Sequence, residues 1–131
     1  MNEQKKTSIL ILDDETIVIK RLKPALEKSG YEVEAFSQSK EASRRITEKD
    51  FDIVITDLKM EGLDGMQFLT QVKERSPATE VIVITGFATM ETAKESFQKG
   101  VFDFLAKPFK IAEIQEVLRK AELKIGERRS A

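Results

Sequence analysis

The chain has 131 residues, 40% of them apolar and 34% charged, which suits one compact domain with a core of its own and leaves little material for a second. It contains no cysteine and no histidine, so disulfides, thiolate chemistry, imidazole general bases and histidine-ligated zinc are excluded, and any chemistry falls to carboxylates, hydroxyls and lysines. The 22 basic and 23 acidic residues leave a net charge of -1, without the field that nucleic acid requires. The apolar run Ile9 to Leu12 is too short for a signal-peptide core or a membrane span. The expectation is a cytoplasmic chain with no membrane partner and no direct nucleic-acid binding.

In chain order, Ser8 to Leu12 reads as a first strand, ended by Asp13-Asp14. A helix follows from about Glu15 to Lys28, with Ile17, Leu22 and Leu26 among its apolar positions, a kink expected at Pro24 and a stop at Gly30. Strands at Tyr31 to Phe36, Phe51 to Thr56, Glu80 to Thr85 and Val101 to Ala106 alternate with helices at about Gln38 to Lys49, Gly65 to Arg75, Thr89 to Lys99 and Ile111 to Lys124. Five strand-helix pairs with near-continuous β-branched strands predict an α/β doubly wound parallel sheet with helices on both faces. Right-handed crossovers favour the flavodoxin-like order 2-1-3-4-5, with the ligand crevice outside the carboxyl ends of strands one and three.

Four strands of that sheet end in reactive chemistry: Asp13-Asp14 after the first, Asp57 after the third, Thr85 in the fourth and Lys107-Pro108 after the fifth. Each has a plainer reading by itself. Asp14 is as readily a helix cap, Asp57 a turn acid, Thr85 a β-branched strand residue and Lys107 a solvent-facing charge. Their joint placement on one rim is what the plainer readings leave unexplained. Carboxylates about 4 Å apart at an effective dielectric near 20 repel by roughly 4 kcal/mol per pair, so a cation is expected among them. Oxygen ligands without histidine or cysteine select a hard ion such as Mg²⁺, which commonly keeps waters and a phosphate in its shell. A carboxylate nucleophile, a hydroxyl donor and an ammonium around a metal-bound phosphoryl group point to an aspartyl phosphate.

The runs Leu10-Ile11-Leu12-Asp13-Asp14-Glu15, Thr56-Asp57-Leu58-Lys59-Met60 with Gly62 and Asp64-Gly65, Ile84-Thr85-Gly86 and Phe102-Asp103-Phe104-Leu105-Ala106-Lys107-Pro108-Phe109 resemble, in combination, the receiver domain of bacterial two-component response regulators, nearest the nitrogen-regulator type. The resemblance covers nearly the whole chain and implies a receiver at residues 7–125 between tails at 1–6 and 126–131. It implies that Asp57 accepts a phosphoryl group from a sensor histidine kinase, and that Asp13, Asp14 and Asp57 bind Mg²⁺ with the Lys59 backbone carbonyl. Thr85 and Lys107 would contact the phosphoryl group, with a cis Lys107-Pro108 peptide aiming the lysine. It further implies a switch through Thr85 and Phe104, read on the face of the fourth helix, fifth strand and fifth helix by an output domain, a protein partner or a second copy. Phe104 stands where many relatives have tyrosine, so a readout through a hydroxyl is unavailable; a fixed core aromatic is the other reading of this ring. Glu61 stands where such relatives often have proline, and Lys59 and Phe87 match variable positions that influence access of water.

Three other functions share features with this pattern. A flavin-binding relative of the same fold expects a hydroxyl-rich loop after the first strand, where this chain has Asp13-Asp14-Glu15. A phosphatase of the haloacid-dehalogenase type expects Asp-x-Asp there, which Asp13-Asp14-Glu15 does not provide. A phosphorylation-independent interaction module would have no use for the intact acidic pair, acceptor, hydroxyl and lysine.

Overall fold

The computed structural model describes residues 5–58 and 65–130. The elements alternate as β1 (Ser8–Leu12), α1 (Thr16–Lys28), β2 (Glu32–Phe36), α2 (Ser39–Glu48), β3 (Ile53–Thr56), α3 (Gly65–Arg75), β4 (Glu80–Thr85), α4 (Met90–Gln98), β5 (Asp103–Ala106) and α5 (Ile111–Ser130). All strand pairs are parallel and the sheet order is β2-β1-β3-β4-β5, the predicted winding. Parallel strands send every carboxyl end to one rim, and the registers Leu12 with Thr56 and Thr85 with Ala106 set the following residues side by side.

Period-two alternation divides the core. Ile9, Ile11, Ile53, Ile55, Ile82 and Ile84 face the α1 and α5 side, where they meet Leu22, Leu26, Ile114 and Leu118. Leu10, Leu12, Val54, Val81 and Val83 face the other side, against Ile46, Phe68, Leu69 and Val72 of α2 and α3. β1, β3 and β4 are buried on both faces, which is why they read as unbroken apolar runs.

Helix α1 ends as expected at Gly30, whose φ of 97° puts it in the left-handed region. There the Tyr31 N–H reaches the Leu26 carbonyl at 3.1 Å and the Gly30 N–H reaches that of Glu27 at 3.0 Å, satisfying two orphan carbonyls. The inward stripe of α1 is Val18, Leu22 and Leu26 at four-residue spacing, whereas Ile17, one position round the helix, is 61% exposed. Ile17 therefore belongs to the surface, contrary to its apolar character.

The last helix runs past its expected end near Lys124, because α5 continues to Ser130. Tertiary contacts carry it past Gly126. Lys124 and Arg128 both pair with Glu80, which is only 2% exposed at the start of β4; Arg128 also donates to the Ala78 carbonyl at 2.6 Å, and Arg129 meets Asp52 at 2.5 Å. A glycine in a helix costs about 1 kcal/mol against alanine, less than breaking a buried charge pair, so the helix persists.

Candidate phosphoacceptor site

At the carboxyl rim, backbone bonds fix the positions of three side chains before any of them interact. The Asp13 N–H donates to the Phe36 carbonyl (3.1 Å), the Asp57 N–H to that of Leu12 (3.0 Å) and the Lys107 N–H to that of Thr85 (2.8 Å). The sheet ladder is thus extended by one residue at each point, and Asp13, Asp57 and Lys107 are held as rigidly as strand residues. The Lys107–Pro108 peptide that follows is cis.

The Lys107 ammonium lies within reach of three carboxylates. Its Nζ is 2.7 Å from Asp13 Oδ2, 2.7 Å from Asp57 Oδ2 and 2.6 Å from Glu15 Oε1, and its side chain is 12% exposed. The contacts to Asp57 and Glu15 are directed hydrogen bonds. That to Asp13 is close but out of line, so Oδ2 remains a buried acceptor without a well-made hydrogen bond, while Oδ1 takes the Glu15 N–H at 2.9 Å. Asp57 Oδ1 accepts the Leu58 N–H at 2.6 Å. One ammonium among three carboxylates leaves the group net negative, a poor arrangement for a buried site without a further cation.

Burial raises the Asp13 carboxyl above its ordinary value of 3.8, against the lowering effect of Lys107 and the Glu15 N–H. For Lys107, burial disfavours the charge, yet the hydrogen bonds to Asp13, Asp57 and Glu15 more than offset it and hold the ammonium above the ordinary lysine range. The lysine is therefore a fixed positive charge at neutral pH.

Asp13, Asp14 and Asp57 each offer a carboxylate oxygen, all within 4.8 Å of one another; Asp14 is exposed and the other two buried. Three hard oxygens, one of them an underused buried acceptor, fit a small divalent cation, and an open side at Asp14 leaves room for water ligands. The expected fourth protein ligand, the Lys59 carbonyl, lies outside the described residues, as do Glu61 and Gly62.

Thr85 is fully buried at the end of β4, with its hydroxyl accepting the Phe87 N–H at 3.0 Å. Phe87 itself is 58% exposed at the rim. Phe104, on β5, is partly buried and packs against the α2 and α3 side of the core. Gly65 opens α3 directly beneath Asp57 and Leu58. A Cβ there would lie 2.3 Å from the Asp57 carbonyl oxygen and 2.4 Å from Leu58 Cα, so no side chain fits. Glu15 stands in the first motif with no role assigned to it by the sequence; its contact with Lys107 spans 92 positions and has no local signature.

A family model for the response regulator receiver domain matches residues 9–119. The chain belongs to the response regulator receiver domain family. This receiver domain is 34% identical over 116 residues to the transcriptional regulatory protein ZraR of Salmonella typhimurium, covering 88% of the chain and 26% of that protein. It is 33% identical over 111 residues to the DNA-binding transcriptional regulator NtrC of Klebsiella pneumoniae, covering 85% and 24%. The receiver thus spans about a quarter of the curated relatives it matches. Among solved structures, it is similar to a response regulator receiver domain from Clostridium thermocellum (TM-score 0.84, 34% identity, 94% of this chain and 97% of that one). It is also similar to the beryllofluoride-activated NtrC4 receiver domain dimer (TM-score 0.86, 33% identity, 91% and 98%). The protein is accordingly a receiver of two-component systems, a signalling domain rather than a conventional enzyme. Among the described residues no helix is long and apolar enough to cross a membrane.

Proposed function

We propose that Asp57 is the residue phosphorylated in this receiver, with a sensor histidine kinase as donor. The observation that carries the reading is the convergence of Asp13, Asp57 and Lys107 within 2.7 Å contacts around one ammonium at the carboxyl rim. An Asp57 carboxylate oxygen attacks phosphorus, an O–P bond forms, and the donor's P–N bond breaks with its electron pair leaving on the imidazole. Since the chain has no histidine, the phosphohistidine lies outside these 131 residues.

Asp13, Asp14 and Asp57, with the Lys59 carbonyl, are the proposed ligands of Mg²⁺, which when bound supplies charge neutralisation at the phosphoryl oxygens. Lys107 contributes a permanent positive charge toward the same oxygens, and the Thr85 hydroxyl a donor once it turns from the Phe87 N–H. That turn vacates space beside β5, and Phe104 rotates inward to fill it. The altered face of α4, β5 and α5 then signals to an output domain or a second copy. The exposed Met90 and Phe97 on α4 are suited to such a contact, and the similar NtrC4 receiver is a dimer in its beryllofluoride-activated form. A cytoplasmic location accords with a kinase donor.

Acetyl phosphate with and without Mg²⁺, read by intact mass, tests the proposal. A Mg²⁺-dependent phosphate adduct on the wild type, absent from Asp57→Ala, is the expected result. No adduct on folded, Mg²⁺-binding wild type would turn the reading toward a phosphorylation-independent interaction module.

A further inference from the structure

Beyond Asp57 and its metal ligands, the site contains a carboxylate with no assigned task. Glu15 is bound to the site twice: its backbone N–H holds Asp13 Oδ1 at 2.9 Å, and its side chain receives Lys107 Nζ at 2.6 Å. It is the N-cap of α1, yet its side chain makes no capping bond, because it extends across to the lysine. The three acids around Lys107 differ in freedom. The side chain of Asp13 is fully buried and that of Asp57 nearly so, whereas that of Glu15 is 56% exposed. When a phosphoryl group adds roughly two negative charges beside Lys107, the ammonium has to give up a partner. Glu15 alone among the three can turn into water without leaving a buried charge behind.

We propose that Glu15 is a positioning residue for phosphotransfer: it holds Lys107 while Asp57 is unmodified, surrenders it when the phosphoryl group arrives, and by its negative charge selects against dianionic donors. The inference rests on Asp57 being the acceptor. Two physical effects act together. Glu15 competes with the incoming phosphoryl oxygens for one ammonium proton, and its charge repels the donor in proportion to the donor's own charge. In Glu15→Gln the repulsion vanishes and the competition weakens, because the amide oxygen can still accept from Lys107 but without the charge. In Glu15→Asp the charge remains while the side chain, one methylene shorter, loses its reach to Lys107.

The experiment compares phosphorylation of the full chain by acetyl phosphate, a dianion at neutral pH, and by phosphoramidate, a monoanion, in wild type, Glu15→Gln and Glu15→Asp at saturating Mg²⁺. Glu15→Gln is expected to be faster with acetyl phosphate by about two- to fivefold, the range for an exposed ion pair, and to gain less with phosphoramidate. Glu15→Asp is expected to keep the wild-type preference between donors. As a readout without covalent chemistry, beryllofluoride is expected to bind Glu15→Gln more tightly than wild type, monitored by NMR shifts. Equal gains with both donors, or no gain, would overturn the role of Glu15 while leaving Asp57 as acceptor. Wild type unlabelled by either donor would overturn the acceptor reading and this inference with it.

Discussion

Replacing Asp13 with asparagine is expected to stabilise the metal-free receiver. The Asp13 side chain is fully buried, with Lys107 at 2.7 Å and an Asp57 oxygen no more than 4.8 Å away. At an effective dielectric near 20, the lysine attracts it by about 6 kcal/mol and Asp57 repels it by at least about 3.5 kcal/mol, leaving at most roughly 2.5 kcal/mol of net attraction. Burying a carboxylate costs several kcal/mol, so desolvation wins, in agreement with the upward displacement of this carboxyl. Asparagine removes the ionised burial while Lys107 keeps two other acids, so the gain at pH 7 is on the order of 1–3 kcal/mol. Urea denaturation in a chelator measures it. Because the folded-state value lies above the ordinary 3.8, the wild type recovers stability as pH falls through that raised value, and the gap closes below 3.8. Added Mg²⁺ should stabilise the wild type by mass action, about 2.7 kcal/mol at a hundredfold excess over Kd, and the variant much less. A variant no more stable than wild type at pH 7 in chelator would refute the electrostatic account.

Two further outcomes test the surroundings of the site. Gly65→Ala drives a Cβ to 2.3 Å from the Asp57 carbonyl, and is expected to cost about 1–3 kcal/mol by thermal denaturation and to slow phosphorylation of Asp57; wild-type values in both assays would show that the loop has room to shift. Arg128→Ala removes one of the two cations in ion pairs with the buried Glu80, and is expected to raise amide exchange in the last turns of α5 while leaving phosphorylation unchanged; unaltered exchange would mean that Lys124 and Arg129 suffice to hold the helix.

The sheet was legible because its central strands carry unmistakable runs: Ile9 to Leu12 and Val81 to Ile84 are apolar throughout, and the acids, threonine and lysine that follow the strands mark the rim. The elements most easily misread were helices whose fate depends on distant partners. Ile17 looks like core by type, but the four-residue stripe through Val18, Leu22 and Leu26 turns it to solvent. Gly126 looks like a stop, and the pairings of Arg128 with Glu80 and of Arg129 with Asp52, 48 and 77 positions away, explain why it is not one. Glu15 was hidden for the same reason: a cap position predicts local bonding, whereas its side chain is taken by Lys107 from the far end of the fold.

The sheet separates two packing compartments that share a backbone but few side chains. Phe104 projects into the compartment of α2 and α3, whereas its neighbours Phe102 and Leu105 lean on that of α1 and α5. The second compartment is also bolted at its base by Glu80 and Asp52 to the end of α5. The molecule is therefore two layers on one sheet, and the switch proposed through Phe104 would act on the layer of α2 and α3 rather than on that of α1 and α5.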